Sequence, residues 1–164
     1  SGTNTGDNRF WGVISDAAMQ KLIMNSASDG AIRELIKEED FEDRAYNLVN
    51  EFFAAVKQVY GTEWNGMQPR TSRLKHGAGI VAMGYVMELL YSNRNATTCE
   101  EFVPGLEALR EFTAWTSGQW RFTDYDVRPW NEVQNTPSDI DLLSNFLVRS
   151  LKKALRKRLK VVNG

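Results

Sequence analysis

The sequence predicts an all-α fold, a single-domain bundle of five to six helices with a central buried glycine-containing helix and an aromatic-rich loop. Three observations predict it. Apolar residues recur at three- and four-residue spacing along most of the chain, which is the period of an amphipathic helix. The stretch from Ala78 to Tyr91 is apolar on nearly all sides, as a helix at the centre of a bundle is. Helix-start residues also stand ahead of several of these runs. A chain of 164 residues, 42% hydrophobic and 25% charged, buries enough surface to need no disulfide or metal staple. Collagen-like, disordered and disulfide-framework classes are thereby excluded.

Taken in order, residues 1–9 are polar and predicted to be loose, leaving 10–164 as the domain. The opening Ser-Gly-Thr-Asn-Thr-Gly lacks an initiator Met, and a domain cut from a longer protein is expected. Ser15 or Asp16 caps a first helix to about Ala27, and Asp29 a second carrying Ile32, Leu35 and Ile36. The next run is clearer. Ala45, Leu48, Val49, Phe52, Phe53, Val56, Val59 and Tyr60 form one apolar face, preceded by Glu42 and Asp43 and stopped by Gly61. Residues 61–70, with two glycines and a proline, are predicted to be a loop.

Thr71 or Ser72 is expected to cap the central helix, where Gly77, Gly79 and Gly84 each cost roughly 1 kcal/mol relative to Ala. Close approach of a neighbouring backbone is the expected offset. Thr98 and Glu101 have capping-box spacing, yet Pro104 breaks a helix that starts so early, so a turn followed by a helix from Pro104 to about Ala114 is predicted. Residues 115–130 hold Trp115, Trp120, Phe122, Tyr125 and Trp130 without helical period and predict an ordered loop or small hairpin. Thr136 as cap, Pro137 at the first helical position and Asp139 in the first turn start a last helix, whose apolar stripe runs into a basic tail.

Charge is unevenly shared. The net charge is -1, but residues 149–160 hold Arg149, Lys152, Lys153, Arg156, Lys157, Arg158 and Lys160 with no acid, which leaves 13 bases against 21 acids elsewhere. A basic helical end on an acidic body has three readings. It contacts the phosphates of nucleic acid, lies on a membrane surface, or complements the helix macrodipole in solvent. The partner classes expected are DNA, an acidic protein surface or the rest of a parent protein. Oligomeric state is not legible.

Candidate chemistry is sparse. His76 is the sole histidine and has neither a nucleophile nor an orienting carboxylate at a telling spacing, so a partly buried or helix-terminal role is favoured. Cys99 beside Glu100 and Glu101 has neighbours that raise a thiol pKa, and it is read as structural. One Cys and one His are too few for a structural zinc site, and a lone cysteine fits a reducing cytoplasm. The run Glu38, Glu39, Asp40, Glu42, Asp43 lacks the EF-hand alternation, and Asp124 with Asp126 makes no recognisable metal motif. No cofactor or metal is expected.

Arg70, Arg73 and Lys75 with His76 precede Gly77 and Gly79 at a helix start, an arrangement able to bind an anion, although the glycines form no P-loop. The aromatic segment either closes the core or stacks bases with help from Arg121 and Arg128. No apolar run approaches the ~20 residues that span a bilayer, and no leader is evident, so neither membrane nor secretion is expected.

Three stretches, FEDRAYNLVNEFFAAVKQVYGTEW (41–64), RTSRLKHGAGIVAMGYVMELL (70–90) and RPWNEVQNTPSDIDLLSNFLV (128–148), resemble the C-terminal helical part of DGQHR-domain proteins. That group includes relatives of the DNA-sulfur-modification repressor and ParB-like proteins of DNA-modification and phage-defence islands. The Asp-Gly-Gln-His-Arg motif itself is absent, so no catalytic residue carries over. The resemblance implies a non-catalytic accessory domain of a bacterial cytoplasmic protein working on or near DNA. Within the matching stretches Arg73, His76, Trp130, Asn131, Gln134 and Asn135 form either a polar surface or a buried hydrogen-bonding set. The competing reading is a small autonomous enzyme whose pocket joins Arg70–Gly79 to the aromatic loop 115–130.

Overall fold

The computed structural model describes residues 41–163; the predicted loose residues 1–9, the helices capped by Ser15, Asp16 and Asp29, and the acids Glu38 to Asp40 lie outside them. Among the described residues the order is α1 (Phe41–Val59), α2 (Gly61–Trp64), α3 (Gly77–Arg94), α4 (Cys99–Leu109), β1 (Gln119–Arg121), β2 (Val127–Pro129) and α5 (Pro137–Asn163). Two 3-10 turns, Arg110–Phe112 and Trp130–Glu132, follow α4 and β2. The described residues are mainly helical, as predicted, with one small antiparallel sheet among them, inside the aromatic segment. No described helix is long and apolar enough to cross a membrane.

The predicted face of α1 is buried through Leu48, Val49, Phe52, Phe53 and Val56. Gly61 does not lead into a loop. It opens the single turn of α2, because Trp64 there buries its ring against Phe53 at 6.1 Å between centroids. Burial of that indole outweighs the entropic cost of a glycine in helix.

Helix α3 is enclosed along Ala78–Gly84, and it packs along α5, while α1 packs along α4. Its start differs from the predicted Thr71 or Ser72. Residues 66–76 form successive turns, and the helix begins at Gly77 with His76 in the cap position. Tertiary contacts hold those turns: the Arg73 N–H donates to the Trp115 carbonyl at 2.8 Å, and the Arg73 guanidinium donates to the carbonyls of Pro69, Asn131 and Val133. The far end of α3 closes through Asn95, at φ 55°, whose N–H reaches the carbonyls of Leu90 and Tyr91.

Gly79 has the reason expected of it. A Cβ there would lie 1.9 Å from the Arg73 carbonyl oxygen, which rests on the helix. Gly79→Ala is therefore expected to lose about 2 kcal/mol in a urea titration, although Ala is the better helix former by ~1 kcal/mol. A variant as stable as the parent would show that this contact is slack.

Helix α4 begins at Cys99 with Thr98 and Glu101 in a reciprocal capping box, and it runs through Pro104, which was expected to start it. Pro104 removes one backbone donor. The box and the burial of Phe102, Leu106 and Leu109 hold the first turns regardless. The helix then tightens into the 3-10 turn at 110–112 instead of continuing to Ala114. Helix α5 starts as predicted, with the Asp139 N–H donating to the Thr136 hydroxyl at 3.3 Å.

Candidate functional site

The hairpin and α5 build the site together. In β1, Trp120 points inward between exposed Gln119 and Arg121, following strand alternation. Its ring packs edge-on to Trp115 and Phe146 at 4.9 and 6.0 Å and stacks on Phe122 at 6.1 Å. Trp115, Trp120 and Phe122 thus close the core, and Trp130 is half-buried, whereas Tyr125 at the hairpin turn stands fully in solvent. Arg128 does not stack on a base-accessible face. It forms a two-pronged ion pair with Asp126 at 2.9 and 3.2 Å and reaches Asp139 at 3.2 Å, tying the hairpin to the start of α5. Arg121, paired with Val127 across the strands, is exposed.

Above the buried rings lies an open groove of about 690 Å³. Phe122 and Phe146 form its floor. One wall is α5, contributing Arg149, Lys152, Lys153 and Arg156; the other is the turn with Glu111 and Phe112, continued by Gln119 and Arg121 of β1. The four α5 cations are exposed, and three- and four-residue spacing sets them along one side of the helix. Arg149 is braced by a 3.3 Å hydrogen bond from its guanidinium to the Phe122 carbonyl. Lys152, Lys153, Arg156 and Arg121 have no ion-pair partner among the described residues, and Glu111 is the single acid of the groove. Arg110, next to it in sequence, pairs instead with Glu63 and donates to the Val59 carbonyl.

The rest of the tail is used differently. Arg158 turns toward α4, donating to the Pro104 carbonyl at 3.3 Å, and Lys157 is exposed outside the groove lining. Lys160 lies in the last turns of α5, and its side chain is outside those described. Because α5 continues to Asn163, Arg156 is seven residues and Arg149 fourteen from the helix end. Macrodipole stabilisation fades within the last turn, so it does not account for the groove cations. Local helix energetics oppose them. Their four like-charged pairs at three- and four-residue spacing cost about 0.2–0.5 kcal/mol each.

The Arg70–Gly79 cluster divides. Arg70 is exposed. Arg73 is buried, and its guanidinium donates to the carbonyls of Val133 (2.9 Å), Pro69 (3.0 Å) and Asn131 (2.7 Å) while lying 5.7 Å from the Trp130 ring centre. Lys75 places its ammonium on the carbonyls of Trp64 (3.1 Å) and Met67 (2.8 Å), over the Trp64 ring. Burial and the nearby Lys57 lower its pKa. Arg73 and Lys75, expected as anion ligands, spend their donors on holding loops. Burial, then Arg73, likewise pushes the half-buried His76 imidazole down, favouring its neutral form at a helix start.

Segments 70–79 and 115–130 do meet, but through this packed contact at Arg73, and no residue of 70–79 lines the groove. Arg73, the Asn131 carbonyl and Gln134, whose amide reaches the carbonyls of Asn131 and Glu132, behave as a fold-fixing set. The Cys99 thiol is raised by burial and by Glu51 and Glu100, matching its structural reading. Comparison with protein-family models, with curated proteins and with solved structures finds no match for this chain.

Proposed function

We propose that this chain is a non-catalytic helical module that associates with nucleic acid, the phosphates lying along the cationic side of α5. The observation that carries this reading is the groove itself: four α5 cations and Arg121 converge on one concavity that holds a single acid. Their mutual repulsion costs the helix about 1–2 kcal/mol in total, a cost that an anionic ligand removes. Phosphodiesters fit because they repeat at short intervals along a strand, as the cations do along the helix. This reading also suits the resemblance to DGQHR-domain proteins, in which the module would serve a longer protein working on DNA in modification or defence.

The test is fluorescence anisotropy of the full chain with 12-nucleotide single strands and duplexes across a salt series. Log affinity is expected to fall with log salt, with a slope near -3 if four or five phosphates are neutralised on a single strand. Replacing Lys152, Lys153 and Arg156 together by Gln should flatten that slope by about 2 and weaken binding about a hundredfold at 0.1 M salt. Salt-independent binding, an unchanged triple variant, or tighter binding to anionic vesicles than to any oligonucleotide would overturn the reading.

A further inference from the structure

The two walls of the groove are chemically unlike. The α5 wall offers four cations, with the largely buried Ser150 among them and no acid. The facing turn offers an acid and an aromatic ring, Glu111 and Phe112, and β1 continues that wall with the exposed amide of Gln119 and, at its far end, the Arg121 cation. Phe112 is half-buried, so it is more accessible than the floor residues Phe122 and Phe146, which are almost wholly buried and pack edge-on to each other at 5.3 Å. A phosphate is attracted to the first wall and to Arg121, and is repelled from the turn by Glu111. An unpaired base has the opposite preference: its face stacks on an aromatic ring, and its exocyclic amine donates to a carboxylate.

We infer that the groove takes a single-stranded nucleic acid in preference to a duplex, with the sugar-phosphate backbone along α5 and the bases turned toward Phe112 and Glu111. This rests on the nucleic-acid reading above and deepens it. The volume of about 690 Å³ is that of a small-ligand site, with room for about two or three bases between the walls while the phosphates of a longer strand continue along the exposed cations. A duplex conceals its base faces and brings only phosphates and groove edges to a surface. Against this site a duplex leaves the Phe112 ring unstacked, and a close docking brings phosphates onto Glu111. A single strand satisfies both walls at once. Glu111 further sets a base preference: cytosine presents an amine at the position where thymine presents a carbonyl, so a carboxylate there accepts from one and repels the other.

The experiment compares three probes on the full chain at one salt concentration: oligo-dC and oligo-dT of 12 nucleotides, and a 12-base-pair duplex. Oligo-dC is expected to bind about tenfold more tightly than the duplex and about threefold or more over oligo-dT. Phe112→Leu, which keeps apolar bulk and removes the ring, should weaken single-strand binding about tenfold and leave the duplex affinity unchanged. Glu111→Ala should level dC with dT. Because Glu111 is exposed, that variant tests the base preference without disturbing the core. If all three probes bind equally, or Phe112→Leu weakens strand and duplex alike, the single-strand assignment falls while the nucleic-acid reading stands. If none binds, both fall together.

Discussion

Arg73→Met should lower the unfolding free energy by about 2–4 kcal/mol and the melting temperature by roughly 10 °C, followed by far-UV circular dichroism. The substitution preserves most of the aliphatic bulk and removes the guanidinium. Three carbonyls then lose the guanidinium: that of Val133 is left buried without a donor, that of Pro69 is part-buried, and that of Asn131 keeps only the Gln134 amide. Leaving a buried acceptor unpaired costs about 1–3 kcal/mol, more than the net value of an ordinary hydrogen bond. Arg73 also links two loops about sixty residues apart in sequence, so its loss lets the 130–135 turn separate from the 66–76 turns. Arg73→Lys keeps the charge but cannot reach three divergent carbonyls with one ammonium, and an intermediate loss is expected. Its effect should not simply add to that of Gly79→Ala, because the Arg73 carbonyl sits on Gly79 and the two sites share one contact. A fall below 1 kcal/mol for Arg73→Met would mean that the turns hold without the clamp.

The same residue shows why sequence reading succeeds in some places and fails in others. α1 and α5 were legible because their signals are local: an apolar stripe, a capping threonine, a proline at the first helical position. The start of α3 was not, since Thr71 and Ser72 are good caps by type, and the turns found there instead are held by partners remote in sequence, among them Trp115, forty-two residues from Arg73. Pro104 misled in the opposite direction, a local breaker overridden by the capping box and the buried face of α4. The candidate site divides along the same line. Its cations were legible as a run on one helix. The wall that faces them, Glu111 and Phe112, was not, because nothing local in that short turn marks it as the neighbour of residues 149–156. Arg73 and Lys75 stood out as basic residues at a helix start, but only the fold reveals that backbone carbonyls already occupy their donors.

Trp120→Ala is expected to cost about 4 kcal/mol and to impair the groove along with the fold. The side chain is fully buried, and its removal leaves a large cavity among Trp115, Phe122 and Phe146. The edge-on contacts with Trp115 and Phe146 add about 0.5–1.5 kcal/mol each beyond burial. The indole N–H also holds the Trp130 carbonyl at 3.3 Å, so the turn after β2 loses an anchor. A three-residue strand pair is too short to persist alone, and without the indole β1 has no buried residue fixing it to the body. Arg121 then leaves the groove rim, and the Phe122 carbonyl no longer braces Arg149. Trp120→Phe should lose less, about 2 kcal/mol, by keeping one ring in the cluster. At a temperature where both variants remain folded, nucleic-acid affinity should fall in the same order as stability, whereas equal affinity for parent and Trp120→Ala would show that α5 binds without the opposing wall.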